Sequence, residues 1–556
     1  MAPLVVLLLI TILLIFFATR RRPAQGDGHG AERLPPSPWA LPVIGHLHHL
    51  AGGAPPHRAL RALARRHGPL MLLRFCELPV VVASSPAAAR EVLKAHDATF
   101  ASRPVGPMLR LVLRGSLGLV FAPYGDGWRQ LRRICAMELL GARRVRSFRP
   151  IREHELGRLL RAVAAAAAAG APVNLAGRLR AFTNDSTVRA IVGGRSEHRD
   201  AFLRLMYEAL RIIPGLNLPD LFPSSRLATL LSRVPHRIQR RRAAMDAIID
   251  PIFQHHQDRR AAGVDDEDED LLDVLLRLQE DMDSQYPLTT ANIKTVIVDL
   301  FSAGSDTMAI TLQWAMAELM RNPAFMRKAQ DEVRSELSGG DTVTEESLGS
   351  LHYLRLVIKE TLRLHPPTPL LLPRECRSPC RVLGYDVPQG AMVLVNAWAI
   401  GRDPAHWEAP EEFLPERFEL TARDLKGMDM EFIPFGAGRR MCPGLAFGVA
   451  HLELALAALL FHFDWELPGG MAAEEMDMAE AVAISAPPRS DLYGVWLNNV
   501  NANIEEEQRT PRQTSAPSMA SYTSASVMTA GTVLWWPLRA ARTSHSNYLQ
   551  RRVALR

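Results

Sequence analysis

The sequence predicts a mainly α-helical protein with small β-sheets, one large body standing behind an N-terminal membrane-spanning helix. Three observations predict it. Residues 2–18 are apolar apart from Thr11 and run directly into Arg20, Arg21 and Arg22, the pattern of a short spanning helix stopped by basic residues. Helical periodicity dominates the rest of the chain, and its longest run extends from Thr290 to Arg321. Strand signals follow one another only between His57 and about Leu93.

The anchor is taken as residues 2–19. A cleaved signal peptide would carry basic residues before the apolar run and a small-residue cleavage site after it. Here three arginines stand where that site would be, and they hold the following chain in the cytosol. No later segment reads as a second span, so a single pass is expected. Residues 20–45 form a basic and Pro-rich hinge. Its part from Pro23 to Gly30 is Gly- and charge-rich. The part from Leu34 to Gly45 holds Pro35, Pro36, Pro38 and Pro42, whose fixed φ and missing N–H groups make a stiff extended arm.

The body is expected to cover residues 46–492. Strands are expected at Leu70–Phe75 and Val80–Ala83, where β-branched and apolar residues cluster. Thr289 or Thr290 can cap the long helix, and Asn322-Pro323 ends it. A second helix spans about Tyr353 to Leu364, and a third starts at Pro443 and runs to about His462. The alanine-rich run 162–169 is a strong helix former with no chemistry. Asp265 to Asp270 reads as a solvated acidic loop before a helix. Residues 493–556 are rich in Ser, Thr, Ala, Asn and Arg without a sustained period, and are expected to be a disordered tail.

Composition narrows the function. At 47 % hydrophobic residues the chain of 556 supports a large core, which excludes wholesale disorder. A net charge of +6 spread over many Arg, Asp and Glu is no nucleic-acid signature. It suits a locally basic face toward an acidic partner or anionic lipid. Five cysteines without tight pairing argue against a disulfide framework. Cys376 and Cys380 lack a second ligand pair at zinc spacing and read as ordinary thiols.

The chemistry concentrates in the loop Phe435-Gly436-Ala437-Gly438-Arg439-Arg440-Met441-Cys442-Pro443-Gly444. A cysteine at a helix N-terminus is biased toward its thiolate. Gly436 and Gly438 allow a tight bend that can approach a flat ligand. Backbone N–H groups of such a loop can point at the sulfur and tune a metal bound to it. Arg440 offers a fork for a carboxylate, and Phe435 can shield the sulfur from water. A Gly-rich turn with a buried Cys is the plain alternative. The full pattern Phe-x-x-Gly-x-Arg-x-Cys-x-Gly resembles the signature of cytochrome P450.

Further motifs of that family follow in order. Glu360 and Arg363 lie three apart on one helix face, and the resemblance adds Arg417 as third member of a buried structural network. Ala303-Gly304-Ser305-Asp306-Thr307 lies on the long helix. A Gly and a hydroxyl loosen the helical ladder there, because the hydroxyl can bond a carbonyl one turn back. The resemblance makes this the distal face of a haem, with Asp306 and Thr307 as the catalytic proton-handling pair. Many relatives carry a second Thr or Ser where this chain has Met308. Trp128 and Arg132 sit one turn apart, so both can reach one carboxylate. With Arg374 and Arg103 they are the implied partners of the haem propionates.

The resemblance covers nearly the whole chain except the tail and is nearest the plant A-type group, similar to family 71. It implies the cytochrome P450 fold, haem b with Cys442 as axial ligand of the iron, and a monooxygenase. Such an enzyme takes O2, and it takes electrons from NADPH through NADPH-cytochrome P450 reductase. The implied substrate is a small hydrophobic plant specialised metabolite, a terpenoid, indole or phenolic. Implied pocket residues are Leu113, Leu119, Phe121, Asp299, Leu300, Ala303, Thr368, Leu372, Ala483 and Ile484. Arg129, Arg133 and Arg439 are the implied docking face for the reductase. The implied location is the endoplasmic reticulum membrane, single-pass, with the body facing the cytosol. Two other readings stay open: a haem-thiolate isomerase or dehydratase that needs no O2, and a non-catalytic remnant in which the tail replaces the strand pair that normally closes the chain.

Overall fold

The computed structural model describes residues 33–193, 217–263, 269–280, 287–338, 340 and 342–499. The anchor, the hinge before Arg33, the acidic residues 265–268 and the tail beyond Asn499 lie outside the described residues.

The helices of nine residues or more among the described residues are α1 (Pro56–His67), α2 (Asp126–Ile134), α3 (Arg149–Ala168), α4 (Leu175–Val192), α5 (Val234–Ala261), α6 (Leu271–Gln279), α7 (Thr290–Arg321), α8 (Pro323–Glu336), α9 (His352–Leu364) and α10 (Leu445–His462). The strands are β1 (Leu70–Phe75), β2 (Leu78–Ala83), β3 (Val173–Asn174), β4 (Arg374–Glu375), β5 (Cys380–Val382), β6 (Tyr385–Val387), β7 (Met392–Val395), β8 (Phe463–Glu466) and β9 (Tyr493–Asn499). They form a four-stranded sheet in the order β1-β2-β7-β4, a three-stranded sheet β3-β9-β8 and the hairpin β5-β6. The chain is mainly helical with small sheets, as its composition and periodicity predict.

The long helix α7 has the expected bounds. The Thr289 side chain accepts from the Asn292 N–H at 3.1 Å, capping the first turn. Pro323 opens α8 after the Asn322 corner. From Met308 to Met320 every residue of α7 is buried, because α4, α9 and α10 pack around it. By length and apolar content α7 and α10 would pass as membrane spans. The expectation that no later segment could span is therefore corrected on composition. Both are core helices, wrapped in protein rather than lipid.

Three further expectations change. The extended arm does not stand apart: the Asp386 N–H bonds the Arg33 carbonyl at 2.8 Å, and the Leu72 N–H bonds that of Pro36 at 3.0 Å. The hinge thus ends at or before Arg33, since Pro-rich backbone still offers carbonyls to a sheet edge. Strands are not confined to the N-terminal region. β7 pairs in parallel with β2, Val80 opposite Met392, and β4 to β7 are too short to show an alternating pattern. The body also does not stop at Leu492. β9 pairs with β3 and β8, placing Trp496 opposite Trp465, so the small sheet that the remnant reading lacks is closed.

Candidate active site

The cysteine loop folds back on itself. The Cys442 N–H donates to the Phe435 carbonyl at 2.9 Å. Gly436 and Gly438 both sit at φ +70°, a conformation that L side chains resist. A Cβ on Gly438 would come within 2.2 Å of the Leu93 carbonyl oxygen and 2.8 Å of Asp97 Oδ1. Glycine is needed here because another segment presses on the loop. The following helix begins at Leu445, two residues after the expected Pro443, with Gly444 at its N-cap. The Gly444 N–H faces the Cys442 sulfur. It opposes the burial that pushes the thiol up, and so does the Arg132 guanidinium.

A set of buried guanidinium groups surrounds this loop. Arg103 donates to the carbonyls of Val120, Leu372 and Pro373 at 2.7–3.0 Å. Arg374 donates to Ala437 O at 2.8 Å. Arg440 donates to Ala101 O and Ala122 O and lies 3.8 Å over the Trp128 ring. Arg132 reaches Met441 O at 2.6 Å. Among the described residues Asp97 is the carboxylate that bonds this set, 3.4 Å from Arg374. Burial drives Arg374 down to about 10 and Arg440 down to about 9, and it lowers Arg103 well below its usual value. Neighbouring cations act in the same direction on Arg103 and Arg440. So much buried positive charge around one carboxylate is costly unless an anion joins it. A dianionic haem beside a cysteine sulfur fits this donor set.

Trp128 and Arg132 point to different acceptors. The indole N–H donates to Leu119 O at 3.0 Å, whereas Arg132 turns to Met441. The i,i+4 spacing set a shared helix face but not the direction of each side chain.

Glu360, Arg363 and Arg417 meet in a buried network. Arg363 meets Glu360 with two bonds of 2.7 Å, and Arg417 adds a third at 2.9 Å. The Leu414 N–H also donates to Glu360, at 2.8 Å. Arg363 carries the carbonyls of Gly401, Pro410 and Glu412 on its remaining donors. Every polar atom of the pair is matched, which a buried ion pair requires.

On α7, Thr307 Oγ1 donates to Ala303 O at 2.6 Å, one turn back. Asp306 accepts from the Ser485 hydroxyl at 2.9 Å. Burial raises the Asp306 carboxyl, while Ser485 and Arg180 favour its charged form. Ser485 was not among the expected residues, since a lone serine 179 positions from its partner leaves no mark in a sequence.

Asp299, Ala303 and Thr307 share one face of α7 by their spacing. Asp299 also accepts from the Val120 N–H at 3.1 Å, and burial pushes its carboxyl up to about 7. It is a clamp on the 116–120 segment, where Ser116 meets Thr295 and the Leu117 N–H meets Asn292, each at 2.8 Å. Of the other expected pocket residues, Leu113, Leu119 and Leu300 are buried, Phe121, Thr368 and Leu372 are half-buried, and Ala303, Ala483 and Ile484 are exposed.

One cluster lies apart. His256 donates Nδ1–H to Ile252 O and Nε2–H to Asp270, both at 2.8 Å, and its pKa is raised. Through these two contacts the ring ties α5 to α6. Asp270 is buried there and caps α6, so the end of the acidic run is not the solvated loop expected.

A family model described as Cytochrome P450 matches residues 35–493. The ent-isokaurene C2/C3-hydroxylase of Oryza sativa subsp. japonica is 49 % identical over 464 residues, covering 82 % of this chain and 90 % of that protein. The desmethyl-deoxy-podophyllotoxin synthase of Sinopodophyllum hexandrum is 46 % identical over 465 residues, covering 83 % and 91 %. A solved zebra fish cytochrome P450 superposes with a TM-score of 0.67 over 80 % of this chain and 99 % of its own, at 24 % identity, which speaks for the fold. A match over residues 35–493 and relatives nearly half identical along most of both chains show that the chain belongs to the cytochrome P450 family and is a haem-dependent monooxygenase.

Proposed function

We propose that the enzyme inserts one atom of O2 into a small hydrophobic plant specialised metabolite, with electrons passed from NADPH by NADPH-cytochrome P450 reductase. One juxtaposition carries the reading: a cysteine sulfur facing the Gly444 N–H among buried guanidinium groups, in the same body as the Asp306–Thr307 pair. Bound haem supplies the activation of O2 and the single-electron steps. Cys442 would hold its iron, and Arg103, Arg132, Arg374 and Arg440 would pair its carboxylates, with Trp128 packed against Arg440. Asp306 takes up protons, its acidity weakened by burial, and Thr307 stands next to it on the helix. Ala303, Ala483 and Ile484 offer an apolar surface to substrate. The rice relative is named for ent-isokaurene, which supports a terpenoid; the Sinopodophyllum relative supports a phenolic at almost equal identity.

Residues 2–19 anchor this enzyme in the endoplasmic reticulum membrane, with Arg20–Arg22 holding the body in the cytosol. Arg129 and Arg133 are exposed on α2, and Arg439 is exposed beside Asp97. They form a basic face for an acidic electron-donor domain. Reversing the charge of two of them slows reduction if this face docks the reductase.

Reconstitution with a plant reductase, NADPH and isotopically labelled O2 tests the reading. One labelled oxygen atom is expected in the product, together with the thiolate Soret band of the reduced, CO-bound protein. Both are lost in Cys442→Ser. Product formed without NADPH or label would replace this reading with the isomerase or dehydratase.

A further inference from the structure

We infer that Ser485 is a positioning residue for the acid on α7: its hydroxyl, delivered by a C-terminal hairpin, fixes the Asp306 carboxylate beside Thr307. The inference rests on the monooxygenase reading of Asp306 and Thr307.

The hydroxyl donates to Asp306 Oδ2 at 2.9 Å, and both side chains are half-buried. A hydrogen bond from a lone serine is ordinarily adaptable. Here the backbone that carries it is pinned. Residues 479–489 fold back on themselves through Ala481 N–H to Pro487 O at 2.8 Å and Arg489 N–H to Ala479 O at 2.7 Å. At one end Glu480 is buried and bonds His57 and Arg58, each at 2.9 Å. Next to Ser485, the Ala486 carbonyl accepts from the Trp314 indole at 2.9 Å and the Ala486 N–H donates to Pro367 O at 3.0 Å. Trp314 is itself fixed, stacked on His365 at 4.0 Å between centroids and 7° between planes. His365 in turn bonds Glu318 at 2.7 Å. The hairpin is therefore clamped to α1, to α7 and to the segment after α9, and Ser485 has little freedom of approach.

Neither residue that follows Asp306 on the helix bonds its carboxylate. Thr307 donates its hydroxyl proton to Ala303 O, and Met308 carries no hydroxyl. Other elements packed near this turn bring Arg180 from α4 as the charged group acting on Asp306, and the apolar ring of Phe447 from α10 beside Gly304. Removing the serine donor leaves burial opposed by Arg180 alone, so the carboxyl holds its proton more tightly.

The test uses the full-length, haem-loaded protein in four forms: wild type, Ser485→Ala, Ser485→Thr and Asp306→Asn. Infrared difference spectra against pH follow the protonated-carboxyl band that Asp306→Asn removes. The midpoint in Ser485→Ala is expected to rise by about one pH unit, the size of one lost hydrogen bond to a charged group. Ser485→Thr restores it. In NADPH-driven turnover, Ser485→Ala is expected to lose about tenfold in product per NADPH oxidised, with the shortfall leaving as hydrogen peroxide. The CO-bound spectrum stays that of wild type. Should the alanine variant not take up haem, Ser485→Cys keeps the volume with a weaker donor and gives an intermediate shift. A midpoint that does not move, or one that moves without loss of coupling, overturns the inference. A wild type that oxidises NADPH without oxygenating any substrate defeats the monooxygenase reading instead, and the infrared titration still judges the Ser485 contact.

Discussion

Glu360 has no exposed surface and holds two guanidinium groups by itself. Glu360→Gln leaves both cations buried against a neutral amide and should cost about 3–5 kcal/mol, read as a lower unfolding temperature and less haem per chain. Gly438→Ala adds a Cβ in a left-handed backbone against the Leu93 carbonyl. Strain alone costs about 1–3 kcal/mol, so a sharp fall in haem content is expected by pigment-to-protein ratio. Both residues are legible in the sequence itself, because a ten-residue loop and an i,i+3 pair are local patterns. Ser485 and the Asp299 clamp are not. Their partners lie far off along the chain, and nothing in a lone serine or aspartate says which backbone will arrive beside it.

Among the elements, α7 was legible to the residue, since a cap, a long apolar run and Asn322-Pro323 all agree on its limits. The start of α10 was not. Pro443 suits a first helical turn, yet Gly444 takes the cap and moves the helix to Leu445, which puts the Gly444 N–H at the sulfur. The strands β4 to β7 escaped because runs of two to four residues cannot display a period. α7 also anchors the hairpin that carries Ser485, through Trp314. Trp314→Phe removes one buried N–H and leaves the Ala486 carbonyl unmatched, at about 1–3 kcal/mol. A lower denaturant midpoint and faster amide exchange in residues 479–489 are the expected signs.

At the scale of the whole molecule, the 479–489 hairpin is tied to α1, far off along the chain. His57 and Arg58 hold the Glu480 carboxyl at about 2, far below its usual range, despite the opposing effect of burial. A carboxyl depressed in the folded state stabilises fully above its unfolded value near 4.5 and loses that contribution as pH falls toward 2. Glu480→Gln should remove about 2–3 kcal/mol at neutral pH and flatten the acid limb of the stability curve between those values. Chain ends matter in the same way. A chain stopped after Asn499 keeps β9 and should keep the CO-bound thiolate spectrum, whereas one stopped after Leu492 loses the middle strand of β3-β9-β8 and should not. The parallel pairing of β2 with β7 has its own consequence. The ribosome, adding about 5–20 residues per second, makes Val80–Ala83 long before Met392–Val395 exists. For roughly 15–60 s the nascent chain therefore presents an apolar edge with no mate. Production of this enzyme should accordingly improve with chaperones that cover such edges and with slower initiation, which spaces neighbouring nascent chains apart.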